Sequence, residues 1–398
     1  MPHFRSISLG FWIPTGSRKE NKNISGISHL IEHLVFKGTQ KRNYRDIAIE
    51  FDLMGAEFNA FTDKENCCIY ADFIDTHLGN CMELLFDILM NPSFKTEHID
   101  TEKKVIVEEI KMVDDNPSDS IMNYFYETVL DGHPLSLPIL GTRNSLKEIK
   151  KPAILKYFKK EFDMSTAVIS AAGNIKHSDL INEVKKHTDR IAGKKRTSNF
   201  SGKKLILKGS IRNIQSNKTS SVHMCFGGLG CRRDSKDKYP LSLFTNLLGG
   251  SISSRLFQKI REEEGLAYSI FSSNVQYHDT GIIIIYSASS PKNTDKILKL
   301  IKDEITDIRN HGVKDIELKR SRENLKGNIV LGVEDISSRM FRLGKGLLFD
   351  KKVLTIDEIL KKIDKVERKD LNDIAKKYFK PDKMNLVTLG KLNKGGLS

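Results

Sequence analysis

The sequence of 398 residues has no run that approaches the roughly 18 apolar residues of a membrane-spanning helix. Its N-terminus also lacks the charged segment followed by an apolar one that marks a secretory signal peptide. Hydrophobic residues make up 39% and charged residues 29% of the chain, a composition typical of a soluble globular protein. We therefore expect a cytoplasmic protein with no membrane partner.

Cysteine is scarce and odd in number, which argues against a disulfide framework. The five residues are Cys67, Cys68, Cys81, Cys225 and Cys231. They lack metal-ligand spacing, and the adjacent pair lies in an apolar, strand-like segment. We expect buried free thiols in a reducing compartment.

Positive charge is plentiful but not concentrated. The formal net charge is +14, which makes nucleic-acid binding an alternative function. Many lysines are interleaved with acids, as in 356–362, a pattern typical of a solvated helix. The densest basic stretches, 194–196 and 203–204, have no interleaved aromatic residues for base stacking. The sequence therefore predicts no nucleic-acid partner.

The most informative segment is His29-Leu30-Ile31-Glu32-His33. Residues i and i+4 lie on one face of a helix, so both imidazoles can bind a single metal ion. A Zn²⁺ ion held by imidazoles and a carboxylate, with one position left for water, lowers the pKa of that water to roughly 7. Glu32 can take the proton of the water and pass it to a leaving amine. The order is the reverse of His-Glu-x-x-His.

Neighbouring residues favour a helix for this pentapeptide. An isolated match also arises by chance, as two solvated or core histidines on an amphipathic helix. Gly26 precedes the segment, apolar residues give it a buried face, and Gly38 offers a stop after it. This context makes the metal site the better interpretation.

A third protein ligand is expected from a second helix, over 96–113. Glu102 and Glu109 recur there at helical spacing along one face, and we predict that Glu109 binds the metal. Glu108 is rotated about 100° around the helix axis and is the alternative ligand. Glu102 lies two turns earlier and would be an auxiliary carboxylate beyond the ligands. For any single glutamate, an ordinary charged helix face is the plainer explanation.

Further motifs, combined with these residues, resemble the pitrilysin family of inverzincin peptidases. The resemblance is closest to the mitochondrial processing peptidase branch and its bacterial half-length relatives. The interval between His33 and Glu109 is also similar to that at which the family carries its glutamate ligand. The other matching motifs lie in both halves of the chain, at 36–39, 54–62, 132–135, 138–142, 254–258 and 261–268.

The resemblance implies that the two histidines and Glu109 bind zinc, with Glu32 as the general base. It also implies that Arg261 and Tyr268 bind substrate and support the transition state. Asn59 would lie on an edge strand against which a peptide substrate pairs. These roles are chemically consistent, because a tyrosine can donate to an oxyanion, an arginine can hold a carbonyl, and an edge strand can accept an extended peptide.

The chain is too long for one ordinary hydrophobic core, so we expect two domains of similar size. Gly, Ser, Asn and Lys are frequent in 192–221, which predicts a linker between a zinc-binding domain at 1–191 and a second domain at 222–398. A weak internal repeat supports the division, because 8–18 is similar to 223–233. The second copy has no metal motif, so only the first domain is expected to bind zinc.

Each half alternates strand-like and helical patterns. This argues for two α+β domains, each a mostly antiparallel sheet packed against helices. The predicted strands are 68–73, 167–171, 281–288 and 384–389, and the predicted helices are 78–90, 294–308 and 366–378. The resemblance implies the same architecture, as half of a clamshell, with a further strand before the one in 1–10.

The resemblance implies a Zn²⁺-dependent endopeptidase that hydrolyses peptides or unfolded, presequence-like segments. Because the full clamshell needs four such domains, we expect a homodimer, or a heterodimer with an inactive paralogue. Arg261 and Tyr268 would then serve the zinc site of the partner chain. The alternative is a non-catalytic subunit or assembly factor of the same fold. The intact motif argues against it, since a purely structural zinc site would not need Glu32.

Overall fold

The computed structural model describes residues 1–188, 191, 205, 209–217 and 219–392. These residues form two compact units, each assembled from separated stretches of the chain. The first unit comprises the described residues within Met1–Lys111, Leu137–Asn199 and Gly332–Val353. The second unit comprises those within Met112–Ser136, Phe200–Leu331 and Leu354–Ser398.

The compact units do not simply follow chain order. Residues 112–136 belong to the second unit and 332–353 to the first, whereas the ranges expected from the sequence, 1–191 and 222–398, are continuous. Those ranges stay a prediction. Most of the expected linker at 192–221, including both dense basic stretches, lies outside the described residues, although its residues Ile211–Ile214 form a strand.

The strands, in chain order, are β1 (Ser6–Ile13), β2 (Glu57–Thr62), β3 (Cys67–Ile74), β4 (Val168–Gly173), β5 (Ile211–Ile214), β6 (Val222–Gly230), β7 (Ala267–Gln276), β8 (Gly281–Ser289) and β9 (Asn385–Leu389). The α-helices are α1 (Ile27–Val35), α2 (Tyr44–Leu53), α3 (Leu78–Met90), α4 (Thr96–Asp115), α5 (Pro117–Val129), α6 (Arg143–Glu148), α7 (Lys151–Glu161), α8 (His177–Thr188), α9 (Lys238–Gly249), α10 (Thr294–His311), α11 (Asp315–Leu331), α12 (Ile336–Asp350), α13 (Ile356–Asp364) and α14 (Arg368–Tyr378). The strands and helices predicted from periodicity are confirmed, with ends that differ by a few residues.

Each unit contains one sheet. In the described residues, the first sheet has the order β2-β3-β1-β4 with antiparallel pairs throughout. The second has the order β5-β9-β6-β8-β7 and is antiparallel except for the β5–β9 pair. β1 and β6 each lie between two antiparallel partners in their sheets, and the internal repeat stays a prediction. The predicted α+β class is confirmed.

Strand β1 shows why the first sheet is covered on both faces. Its side chains alternate, so Leu9 and Phe11 pack into the main core of the unit with α1 and α3, while Trp12 packs on the opposite face against α12. The indole Nε1 donates to Ser170 Oγ at 2.9 Å, and the Ser170 hydroxyl donates to the carbonyl of Met340 at 3.1 Å. In the second unit, α5 packs against β6 and β9 in the same manner.

No helix in the described ranges has the length and apolarity needed to cross a bilayer. All five cysteines are free and buried, which confirms the expectation of buried free thiols.

Helix α12 approaches β1 closely at Gly344. A Cβ atom added there would lie 2.0 Å from the Trp12 Nε1 atom, whereas one added at Gly346 on the same helix would meet only ordinary contacts from 3.6 Å outward. We expect Gly344→Ala to lower the free energy of unfolding by about 1–3 kcal/mol through overpacking. Gly346→Ala should raise it by up to about 1 kcal/mol through helix propensity.

Urea-induced unfolding of the two variants, with the parent as reference, measures this difference. A Gly344→Ala protein as stable as the Gly346→Ala protein would contradict the proposed close packing of α12.

Candidate metal centre

The helix that carries the histidine motif begins at a tightly constrained turn. Gly26, the residue before α1, has a φ of 92°, a left-handed conformation that favours glycine. A Cβ atom there would lie 2.6 Å from the carbonyl oxygen of Leu140. The segment 138–142, which matched the family pattern, therefore packs against the start of the helix that carries the histidine motif.

A buried carboxylate caps this helix. The backbone N–H of Gly26 donates to Glu20 Oε2 at 2.7 Å, and that of Ser28 donates to Glu20 Oε1 at 2.9 Å. Burial raises the pKa of Glu20 to about 7, while the two backbone hydrogen bonds oppose that rise because they stabilise the ionised form. The Ser28 hydroxyl also forms a 2.8 Å hydrogen bond with the buried hydroxyl of Tyr157. These contacts hold the first turn of α1 in place.

Three side chains from α1 and α4 converge as the spacing predicts. The ligand atoms of His29, His33 and Glu109 all lie within 4.8 Å of one another, and no other such group of metal-binding side chains occurs within the described ranges. Glu109 Oε2 is 3.8 Å from His29 Nε2, and Glu109 Oε1 is 3.6 Å from His33 Nε2. Glu108 instead forms an exposed ion pair with Lys111 on another face of α4.

Glu102 orients one of these imidazoles. His33 Nδ1 donates to Glu102 Oε2 at 3.0 Å, which leaves Nε2 of the neutral ring available to a metal. The other carboxylate oxygen is 2.9 Å from Lys37 Nζ. Although burial alone would raise the pKa of Glu102, the hydrogen bonds from His33 and Lys37 lower it overall. Glu102 thus lies next to His33, and its auxiliary role stays a prediction.

The electrostatics of the two histidines differ. Burial, with a smaller contribution from the charge of His33, lowers the pKa of His29 to about 3, so its imidazole is neutral. Burial would also lower the pKa of His33, but the hydrogen bond to Glu102 and the nearby carboxylates of Glu109 and Glu32 raise it. A metal that binds through Nε2 requires the neutral imidazole, so the raised pKa of His33 couples metal binding to pH.

The donor set fits a zinc ion. Two imidazole nitrogens and one carboxylate are typical of catalytic zinc sites that leave a position for water. The Nδ1 atom of His29 is buried and has no hydrogen-bond partner within the described chain, and the side chains of His29 and Glu109 are 12% and 33% exposed. The site is therefore desolvated on one side and open to solvent on the other.

Glu32 is placed next to this cluster by the helix itself. It is 7% exposed, and burial raises the pKa of its carboxyl to about 7 even though a hydrogen bond from Thr62 opposes the rise. That hydrogen bond joins Thr62 Oγ1 to Glu32 Oε2 at 2.5 Å. A carboxylate with a pKa near neutrality can both accept and release a proton under physiological conditions.

Sequence comparison identifies the family of this site. Residues 2–143 match the insulinase family, peptidase family M16, and residues 148–325 match the M16 inactive domain. A relative from Bacillus subtilis, named as the uncharacterized zinc protease YmxG, is 35% identical over 96% of this chain and 92% of its own length. The chain belongs to the M16 peptidase family. The resemblance inferred from the motifs is thereby confirmed.

A further relative and two solved structures are also similar to this chain, and the structures share its fold. An uncharacterized zinc protease from Streptomyces coelicolor is 32% identical over 94% of this chain and 83% of its own length. Among solved structures, a protease from Helicobacter pylori matches with a TM-score of 0.88 and 20% identity over 97% of this chain and 94% of its own. An M16 inactive domain from Pseudomonas fluorescens gives a TM-score of 0.88 and 18% identity over 99% and 95% of the two chains.

The three residues to which the resemblance gives a substrate-binding role lie on a π-helix, at a register shift in a strand, and on an edge strand. Arg261 is exposed on a π-helix, Phe257–Glu263, and its guanidinium lies 4.9 Å from the centroid of the Phe257 ring. Tyr268 is 70% exposed at a register shift in β7. Asn59 is exposed on β2, at the edge of the first sheet. Their functional roles stay predictions.

Sequence reasoning missed two residues that hold the motif in place, Glu20 and Thr62. Glu20 precedes α1 by too many residues for a capping box, and Thr62 is far from α1 in sequence. The one available signal was that Thr62 ends the segment 54–62, which matched the family pattern and in which only Asn59 had been given a role. The Glu20 contacts span six and eight residues across a loop, and the Thr62 contact joins β2 to a residue 30 positions earlier, so neither follows from helix or strand spacing.

The geometry predicts that Glu109→Gln weakens the binding of Zn²⁺ by more than about 100-fold, since the change removes a charged ligand rather than an outer hydrogen bond. Glu108→Gln is the matched control, because it makes the same chemical change one residue away on an exposed face. Competition with a chromophoric chelator measures both affinities. Equal affinities in the two variants would contradict the assignment of Glu109.

Proposed function

We propose that this chain is a zinc-dependent endopeptidase, with zinc bound by His29, His33 and Glu109. The observation that carries the proposal is the convergence of these three side chains beside a buried carboxylate, Glu32, on the same helix. The relatives named as zinc proteases support the choice of metal.

In this proposal, the bound zinc would polarise the scissile carbonyl and lower the pKa of a water molecule. Glu32 receives the proton of the attacking water and returns it to the leaving amine. Its elevated pKa suits both transfers. Glu102 keeps the His33 ring in the tautomer that binds metal through Nε2.

The proposed substrates are peptides or unfolded, presequence-like segments. Strand β2 pairs with β3 on one side and lies at the edge of its sheet, so its other side can pair with an extended chain. Asn59 is exposed in the middle of that strand. We propose that Arg261 holds a substrate carbonyl and that Tyr268 donates to the developing oxyanion.

The alternative function is that of a non-catalytic subunit or assembly factor. The match of residues 148–325 to the M16 inactive domain is the observation that favours it. That match excludes the residues of the metal centre, which fall within 2–143. A structural subunit would also have no use for a buried base beside the ligands, so we favour the enzyme.

The proposal predicts that the zinc-loaded parent cleaves internally quenched peptides and that Glu32→Gln lowers kcat by about 100- to 10,000-fold, the usual contribution of a positioned base. The variant should retain zinc, because Glu32 is not one of the three ligands. Zinc content and cleavage are measured on the same preparation. Equal cleavage by both proteins would point to a different site or a contaminant, and no cleavage by either would favour the non-catalytic subunit.

We also propose that the active form is a homodimer, or a heterodimer with a paralogue, in which Arg261 and Tyr268 serve the metal centre of the partner chain. Their exposure makes them available to a second chain. In a symmetric dimer each chain would both give and receive these residues.

Mixing two inactive variants tests this arrangement. A Glu32→Gln chain keeps Arg261, and an Arg261→Ala chain keeps Glu32, so a mixed dimer would contain one complete site. After co-refolding, we expect activity to recover to about a quarter of the parent value, since half of the dimers would be mixed and each would have one of two sites intact. A fully active monomer in sedimentation, or no recovery on mixing, would contradict shared sites.

For location, we propose the cytoplasm. The five buried free thiols are consistent with a reducing compartment.

A further inference from the structure

The Thr62–Glu32 contact links the end of an edge strand to the proposed general base. Thr62 is the last residue of β2, and its hydroxyl donates to Glu32 Oε2 at 2.5 Å. Thr62 is the one hydrogen-bond partner of the Glu32 side chain within the described part of the chain. A glutamate has three side-chain torsions, so a single charge-assisted hydrogen bond strongly restricts where its carboxylate lies.

We infer that Thr62 is a positioning residue, which holds Glu32 by one carboxylate oxygen and leaves the other oxygen for proton transfer. This inference rests on the proposed peptidase function. Thr62 itself binds neither metal nor substrate through its side chain in this role. Its contribution is to keep the base in the productive orientation, where a displacement of about 1 Å can cost on the order of 100-fold in rate.

The sheet fixes the position of Thr62. Its cross-strand partner in the β2–β3 pair is Cys67, whose side chain is completely buried.

The hydrogen bond therefore joins a strand of the first sheet to α1. Because Thr62 belongs to a strand paired with β3 and Glu32 belongs to α1, the base is held against the sheet rather than by its own helix alone. Substitution of Thr62 should thus affect the base while leaving the ligands on α1 and α4 in place.

Three variants test the inference. Thr62→Val keeps the shape but removes the hydroxyl, and Thr62→Ser restores a hydroxyl. Thr39→Val is the matched control, because Thr39 is a buried threonine of the same unit whose hydroxyl donates to the carboxylate of Asp87 at 2.7 Å, away from the proposed base. We measure kcat, KM, zinc affinity by chelator competition, and the position of Glu32 in crystals of each zinc-loaded protein.

We expect Thr62→Val to lower kcat by about 10- to 100-fold with KM and zinc affinity unchanged, as loss of a transition-state interaction requires. Its crystals should show the Glu32 carboxylate displaced or in several positions. Thr62→Ser should recover most of kcat, and Thr39→Val should retain the parent kcat even if it is less stable. This pattern supports a positioning role, because a loss of stability alone would lower kcat in both valine variants rather than only in Thr62→Val.

Several results would overturn the inference. One is a kcat of Thr62→Val equal to that of the parent. Another is a loss of zinc or a rise in KM that accounts for the whole loss of activity in Thr62→Val. Failure of Thr62→Ser to recover activity would do the same. If the parent itself cleaves no peptide, the proposed function fails, and this failure is separate from that of the positioning role. The crystals then decide the positioning role: an unchanged position of Glu32 in Thr62→Val overturns it.

Discussion

The candidate metal centre depends on where one short helix begins. Helix α1 follows a left-handed glycine and has no side-chain cap of the usual kind, so its first N–H groups would lack partners in a buried environment. The Glu20 carboxylate accepts hydrogen bonds from the backbone N–H groups of Gly26 and Ser28, and its negative charge also suits the positive end of the helix dipole. A shift of α1 by one residue would rotate His29 and His33 by about 100° away from α4. The ligand geometry is therefore a consequence of a contact made outside the motif.

In each unit, one helix that covers the sheet comes from the other half of the sequence. Each has a central strand with buried side chains on both faces, β1 in one and β6 in the other, so each sheet needs cover on both sides. Helix α12 comes from the second half of the sequence and covers the first sheet, while α5 comes from the first half and covers the second. The close approach at Gly344, where Trp12 takes the space of a side chain, shows that this packing is specific. A division of the sequence into consecutive ranges has no means of representing such an exchange.

The sequence predicted those features that depend on local periodicity. Helical spacing was enough to place Glu102 and Glu109 on one face of α4 and to separate Glu108 from them, because rotation per residue is a property of the helix itself. Alternation and apolar runs were enough for the main strands. The contacts of Glu20 and Thr62 were not predictable in this way, since the first depends on the path of a loop and the second on the packing of β2 against α1. The π-helix that carries Arg261 was missed for a related reason, because its extra residue per turn has no signature in the periodicity we used.

The charges of the centre explain how these ligands can be held together before a metal binds. Glu109 and Glu32 lie near His29 and His33, and bringing two carboxylates together in a partly buried site is unfavourable unless a positive charge lies between them. Glu102, Glu109 and Glu32 raise the pKa of His33 against the effect of burial, whereas burial lowers the pKa of His29 to about 3. The carboxylates thus favour positive charge at the His33 side of the cluster. A divalent cation bound by these side chains would supply positive charge at the same place.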